Sequence, residues 1–115
     1  MSGDGKGYTE VNFEINNQIR DWAKERGLDT ADPFKQALKL IEEVGELAEG
    51  LVKGNKKQII DSIGDVYVVL TIFSLQLGYD IEYCIEQAYK EIANRKGEMV
   101  NGVFVKDEDL LRRSN

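Results

Sequence analysis

The chain has 115 residues, 42% of them hydrophobic and 31% charged, with a formal net charge of −6, one cysteine (Cys84) and no histidine. That is one domain's worth of soluble, globular chain, and its acidic balance argues against nonspecific binding to DNA, RNA or an anionic membrane. With one thiol and no imidazole, a single chain cannot build a disulfide framework, a Cys/His zinc site, a Cys–His nucleophile or a Ser–His–Asp triad, so any chemistry falls to carboxylates, hydroxyls, Lys and Arg.

The opening MSGDGKGYTE is rich in glycine and lacks the apolar run of a secretory signal, and no stretch offers the roughly 18 apolar residues of a membrane span. Residues 1–9 read as a flexible arm on a cytoplasmic protein. From Glu10 onward, Phe13, Ile15, Ile19, Trp22 and Ala23 recur at mixed three- and four-residue spacing up to Arg26-Gly27, which predicts a first helix closed by glycine. Asp32-Pro33 predicts a second start, since aspartate can cap free amides and proline fits the first helical position; this helix runs to about Lys53. The GNKK stretch, Gly54 to Lys57, is a break short enough to join antiparallel neighbours. A third helix follows from about Lys57 to Leu77, apolar around nearly its whole circumference and therefore expected to be buried from several sides.

Gly78-Tyr79-Asp80 interrupts the pattern. Asp80 could cap a fourth helix, which Ile81, Cys84, Ile85, Ala88 and Ile92 carry to about Arg95. In EMVNGVFV the period changes: Asn101-Gly102 between two short β-prone runs predicts a tight hairpin, marginal alone and expected to pack on helices or on a partner. Residues 107–115, DEDLLRRSN, read as a fraying tail. The predicted fold is all-α, a four-helix module with a short C-terminal β-hairpin, in a single domain over residues 10–106. A chain this short buries only about two-thirds of its unfolded surface, so an all-round apolar third helix points to association with further copies.

The second helix carries Glu42, Glu43, Glu46 and Glu49 in LIEEVGELAEG. At about 100° per residue, Glu43 and Glu46 project roughly 60° apart and one turn along, while Glu42, Glu46 and Glu49 form an overlapping row. Taken alone this fits a solvated face: Phe34, Leu38, Ile41, Val44, Ala48 and Leu51 occupy the other side, and Lys39 and Lys53 are spaced to pair with Glu43 and Glu49. The third helix shifts the balance. Asp65 lies on the line of Val68, Val69 and Ile72 with no basic residue one turn away, so it reads as a carboxylate among apolar side chains that needs a cation, a proton or a metal. Folding the two helices antiparallel about Asn55 brings Glu46 level with Asp65 and Glu43 one turn beyond. Oxygen ligands from two helices suit a hard cation such as Mg²⁺, which takes few carboxylates and completes its shell with water and substrate phosphate.

EEVGE, Glu42 to Glu46, followed after a gap by SIGD, Ser62 to Asp65, within IIDSIGDVYVVL, resembles the EExxE and ExxD pattern of the all-α nucleoside triphosphate pyrophosphohydrolases, the MazG-like and dimeric dUTPase superfamily. The likeness runs roughly from Gln18 to Val105, with Gln18 and Trp22 ahead of the motif and AYKEIANRKGEMVNGVFV after it. It implies a four-helix module, a homodimer or homotetramer, that uses Mg²⁺, with Mn²⁺ as an alternative. The reaction implied is cleavage of a nucleoside or deoxynucleoside triphosphate between the α and β phosphates to give monophosphate and pyrophosphate, as in the house-cleaning of nucleotide pools. By the same resemblance Glu43, Glu46 and Asp65 would be metal ligands, and Glu42 would orient them or position the attacking water. Lys90 and Asn94, spaced as in the family's KxxxN element, would contact phosphate and nucleotide, with Arg95 and Lys96 adding charge; a basic helix end favoured by its own dipole accounts for the same residues. Gln18 and Trp22 would also contact the nucleotide, with Trp22 stacking on a base or else serving the core of its helix.

Ser62 departs from the pattern, because it stands where the family has its second-helix glutamate. Asp61 is adjacent but projects about 100° away and would need a local twist to substitute, whereas Ser62 could hold a metal-bound water in a weaker site. Three readings follow: an active pyrophosphohydrolase, a nucleotide-binding or regulatory protein that kept the fold and lost the reaction, and a helical interaction module whose glutamates only solvate it. Metal binding separates the third from the others, and product formation separates the first two.

Overall fold

A computed structural model describes residues 3–114, and the side chains of residues 14–112. The elements in chain order are α1 (Gly3–Glu25), a 3-10 turn (Leu28–Thr30), α2 (Pro33–Lys53), α3 (Lys56–Leu77), α4 (Ile81–Ala93), β1 (Gly97–Val100), β2 (Val103–Lys106) and α5 (Asp107–Ser114). Helix α1 begins at Gly3, so residues 3–9, read above as an arm, are its first turns; residues 1–2 of that arm, the side chain of Phe13 and Asn115 lie outside the described residues. The contacts among the described residues gather into two compact units, divided between Tyr83 and Cys84.

In the first unit the helix ends follow their local chemistry. Gly27 takes φ 73° after α1, and the Asp32 side chain accepts from the Phe34 N–H at 2.9 Å, capping α2 with Pro33 in its first turn. Gly54 closes α2 at φ 66°, and Asn55 caps α3 by accepting from the Gln58 N–H at 3.1 Å. The resulting α2–α3 hairpin is tight at its closed end. Gln58 Nε2 donates to the Glu46 carbonyl and to Glu49 Oε1, both at 2.9 Å, and a methyl group on Gly50 would stand 3.1 Å from Gln58 Cγ and 3.3 Å from the Ile59 nitrogen. Farther along, Gln36 Nε2 donates to the Val69 carbonyl at 3.4 Å, which shows the antiparallel register.

Helix α1 packs on α3, with Tyr67 donating to Asn16 Oδ1 at 2.8 Å and Arg20 gripping Glu82, in the first turn of α4, through its two terminal guanidinium nitrogens at 2.7 and 2.9 Å. The core is small: Ala23, Val69, Ile72 and Ile81, beside the buried polar residues Asn16, Glu43, Ser62 and Thr71. On α3 only Ser62, Val69, Thr71 and Ile72 are buried, while Ile60 and Ile63 are exposed. The burial from several sides expected of this helix is therefore not met within one chain, because its neighbours cover only part of its circumference. By length and mean hydropathy, 22 residues and 1.5, α3 would pass for a membrane span. Counting uninterrupted apolar residues missed this, since Asp61, Ser62 and Asp65 break the run.

In the second unit α4 ends at Ala93, short of Arg95. The hairpin forms as predicted, with Val100 opposite Val103, and Asn101 and Gly102 turning at φ 51° and 80°. It packs on a helix that the sequence reading took for a tail: α5 contacts both strands, and its first turn carries Asp107, Glu108 and Asp109, where acidic side chains face the positive end of the helix dipole.

Candidate metal centre

One carboxylate oxygen from each of Glu42, Glu43 and Glu46 comes within 4.8 Å of the others on α2. Glu42 and Glu46 are exposed and Glu43 is buried. Lys39 Nζ sits 3.3 Å from Glu43 Oε1 and 3.7 Å from Glu42 Oε1, and the hydrogen bond to Glu43 holds the ammonium above its ordinary pKa. Glu43 Oε2 is shut off from solvent with no hydrogen-bond partner. Repulsion from Glu43 raises the pKa of the Glu46 carboxyl above the usual carboxylate range. Farther along α2, Glu49 belongs to the solvated face: the hydrogen bond from Gln58, and then Lys53 at 3.6 Å, lower its pKa. The pairings of a soluble face and a convergence of carboxylates thus coexist on one helix.

Asp65 corrects the sequence reading. It is exposed rather than enclosed among apolar side chains, because its side of α3 opens into the space beside α2. Its charge needs no compensating partner, and its claim on the site rests on position. It stands outside the trio of glutamates but lines two neighbouring clefts, one with Glu43 and the other with Glu46. The smaller, about 310 Å³, also takes in Asp61 and Ser62. Ser62 is 2% exposed and Asp61 is exposed, and α3 runs through both as regular helix, so both reach the recess without the local twist invoked for Asp61.

The larger cleft, about 680 Å³, follows the α2–α3 groove from Glu43 and Asp65 past Lys39 and Val69 to Asp32, Gln76 and Leu28 of the 3-10 turn. Trp22 forms part of its wall. The residue is 47% exposed, which removes the core reading, and the Arg26 guanidinium lies 4.1 Å from its ring centre. Gln18 lies beside Trp22 in a separate small apolar recess with Ile15, Ile19 and Val68. Lys90, Asn94, Arg95 and Lys96 belong to the second unit, where Lys90 pairs with Glu86 at 3.6 Å and the other three line a shallow recess with Lys106. The cleft residues Leu28, Lys35, Gln36 and Gln76 escaped the sequence reading. The one available signal was an amide side chain inside the apolar run TIFSLQL.

The donor set suits a hard divalent cation: it is all carboxylate oxygen, one buried oxygen lacks any partner, and one carboxyl is repelled by its neighbour. A model of the MazG-like family matches residues 30–100, which contain the three glutamates and Asp65. An uncharacterized 18.2 kDa protein from the rep-hol intergenic region of Haemophilus phage HP1 (strain HP1c1) is 42% identical over 64 residues, covering 55% of this chain and 39% of the phage protein. The chain thus aligns with well under half of that relative's length. No solved structure matches. Since the family match extends over more than half of its residues, the chain belongs to the MazG-like family.

Proposed function

We propose that the protein is a Mg²⁺-dependent nucleoside triphosphate pyrophosphohydrolase that cleaves between the α and β phosphates. The observation that carries this reading is Glu43, whose buried Oε2 is unpartnered beside Glu42 and Glu46 at one end of a cleft long enough to take a ligand lengthwise. Glu43, Glu46 and Asp65 would hold the cation, with Asp61 or Ser62 completing the set. Bound there, Mg²⁺ would neutralise phosphate charge and activate a water for in-line attack. Lys39 keeps Glu43 Oε1 occupied, so the buried and unpartnered Oε2 is the oxygen left for a ligand. Lys35, on the same cleft wall, offers a positive charge to a triphosphate, and Trp22 offers an aromatic surface to a base. Clearing noncanonical or surplus nucleotides in the cytoplasm, by a homodimer or homotetramer, fits this reading.

Ser62 favours a second reading. By the ExxD resemblance it stands at the position of a family ligand; it is buried and cannot contribute a carboxylate, which suits a protein that binds nucleotides with little or no turnover. Incubating the chain with each common ribo- and deoxyribonucleoside triphosphate and Mg²⁺, while following monophosphate and pyrophosphate, tests both. Production of the two in equal amounts is expected. Mg²⁺-dependent thermal stabilisation by a nonhydrolysable analogue without product would move the assignment to the binding protein. Absence of both effects would remove the nucleotide reading.

A further inference from the structure

Gln76, the next-to-last residue of α3, lines the main cleft. Its Nε2 donates to the Leu28 carbonyl at 2.9 Å, which settles the orientation of the amide, since the flipped group would set two oxygens against each other. Its Oε1 is enclosed without a hydrogen-bond partner. Among the described residues, the other buried side-chain oxygen left in that state is Glu43 Oε2. Both residues line the same cleft. Asp65 and Gln76 are separated by about 16 Å of helix at 1.5 Å per residue, so the two orphaned acceptors mark distant parts of one groove. The cation reading accounts for the first and leaves the second unexplained.

We infer that Gln76 reads the base: its Oε1 accepts a hydrogen bond from a ring or exocyclic N–H of a nucleobase whose phosphates lie toward Glu43. This rests on the nucleotide reading above. An enclosed amide oxygen without a donor is an unfavourable state that a ligand N–H at that end relieves. The walls beside it suit a flat ring, with Trp22, Leu28, Val69 and Ile72 offering apolar surface. The bond to Leu28 pins the amide to the 3-10 turn, so its acceptor is held in place before a ligand arrives.

The test is calorimetric binding of nonhydrolysable nucleoside triphosphates to the full chain in the presence of Mg²⁺. The best-bound natural base is compared with an analogue lacking its edge N–H groups: purine for adenine, pyrimidin-2-one for cytosine, the N3-methylated base for thymine or uracil, and guanine methylated at N1 and fully at N2 for guanine. Loss of the N–H should weaken binding to the wild type about tenfold or more, because a site built around a polar contact is left with an unpaired group. In Gln76→Met, which has no amide oxygen to accept the bond, the two ligands should bind within about twofold of each other. Equal losses in the wild type and Gln76→Met would overturn the assignment while leaving the nucleotide reading intact. Should the Met variant fail to fold, the wild-type comparison decides alone, with a loss below about twofold against the proposal. If no nucleotide binds, the nucleotide reading falls first and Gln76 with it.

Discussion

Glu43 rests one carboxylate oxygen on Lys39 and the other on nothing, and this asymmetry can be probed from both sides. Lys39→Met strips the buried carboxylate of its partner, so the metal-free protein should lose about 1 kcal/mol, a modest figure because Lys39 is itself half exposed. The rise in Tm on adding Mg²⁺ should be larger than in the wild type, since no ammonium then competes for the glutamates. A smaller rise would show that Lys39 positions the ligand set instead of opposing the cation. Ser62→Glu tests whether a carboxylate at this position, as the ExxD resemblance implies, joins the site. Ser62 is buried, so the longer side chain should cost about 1–3 kcal/mol by overpacking without metal, and Mg²⁺ should recover more stability than it adds to the wild type. An unchanged metal response would remove this position from the site. Residue spacing made Glu42, Glu43 and Glu46 legible, because three- and four-residue steps on a helix fix which side chains meet. The exposure of Asp65 was not legible, since periodicity places a residue on a face without saying whether a neighbour covers that face.

The helices and the hairpin were readable because their ends carry strong local chemistry: Asp32-Pro33, Asn55, Gly54, Gly78 and Asn101-Gly102 stand where the breaks fall. The 3-10 turn at Leu28–Thr30 and α5 were not, since one is too short for a period and the other resembles a solvated charged tail. Also beyond sequence reach was the contact that ties α1 to the start of α4. Arg20 and Glu82 are mostly buried, far apart in sequence, and the Arg20 hydrogen bond pulls the Glu82 carboxyl down to about 2. A carboxyl with a depressed folded pKa contributes stability above its unfolded value, near 4.5, and loses that contribution as pH falls toward 2. Tm should therefore drop through this window, with the pair worth on the order of 2 kcal/mol at neutral pH. Glu46 acts in the opposite sense, because its raised pKa favours protonation in the folded state. The useful quantity is thus the difference between the wild type and Glu82→Gln: the variant should be less stable at pH 7, and the gap should close by about pH 2. A gap that persists in acid would mean that the ion pair is not its source.

At the scale of the whole molecule, apolar surface is left over. On α2, Phe34, Leu38, Ile41, Gly45, Ala48 and Val52 follow one another at alternating four- and three-residue steps, and all six are exposed, Val52 to 87%. A seam with that period is the pattern by which one helix packs along another, and Gly45, where an added methyl would meet nothing, lets a second backbone come close. The seam lies on the same helix as the glutamates but contains none of them, so a partner could cover it without blocking the proposed ligand set. A bilayer could also take up apolar surface, and α3 has the length for it. It would then have to carry Asp61 and Asp65, at about 2.5–3.5 kcal/mol each near the centre of a span, and it would bury the very carboxylate that lines both clefts. A second copy of the chain meets neither cost. Light scattering in detergent-free buffer should report a dimer or larger for the wild type. Leu38→Glu with Ile41→Glu should yield a monomer at the same micromolar concentration, because each copy would lose two apolar contacts worth about 1.5–3 kcal/mol apiece and place like charges across the contact. A monomeric wild type would refute self-association outright, and a double variant that still assembles would move the interface off the α2 seam onto the exposed side of α3 marked by Ile60 and Ile63.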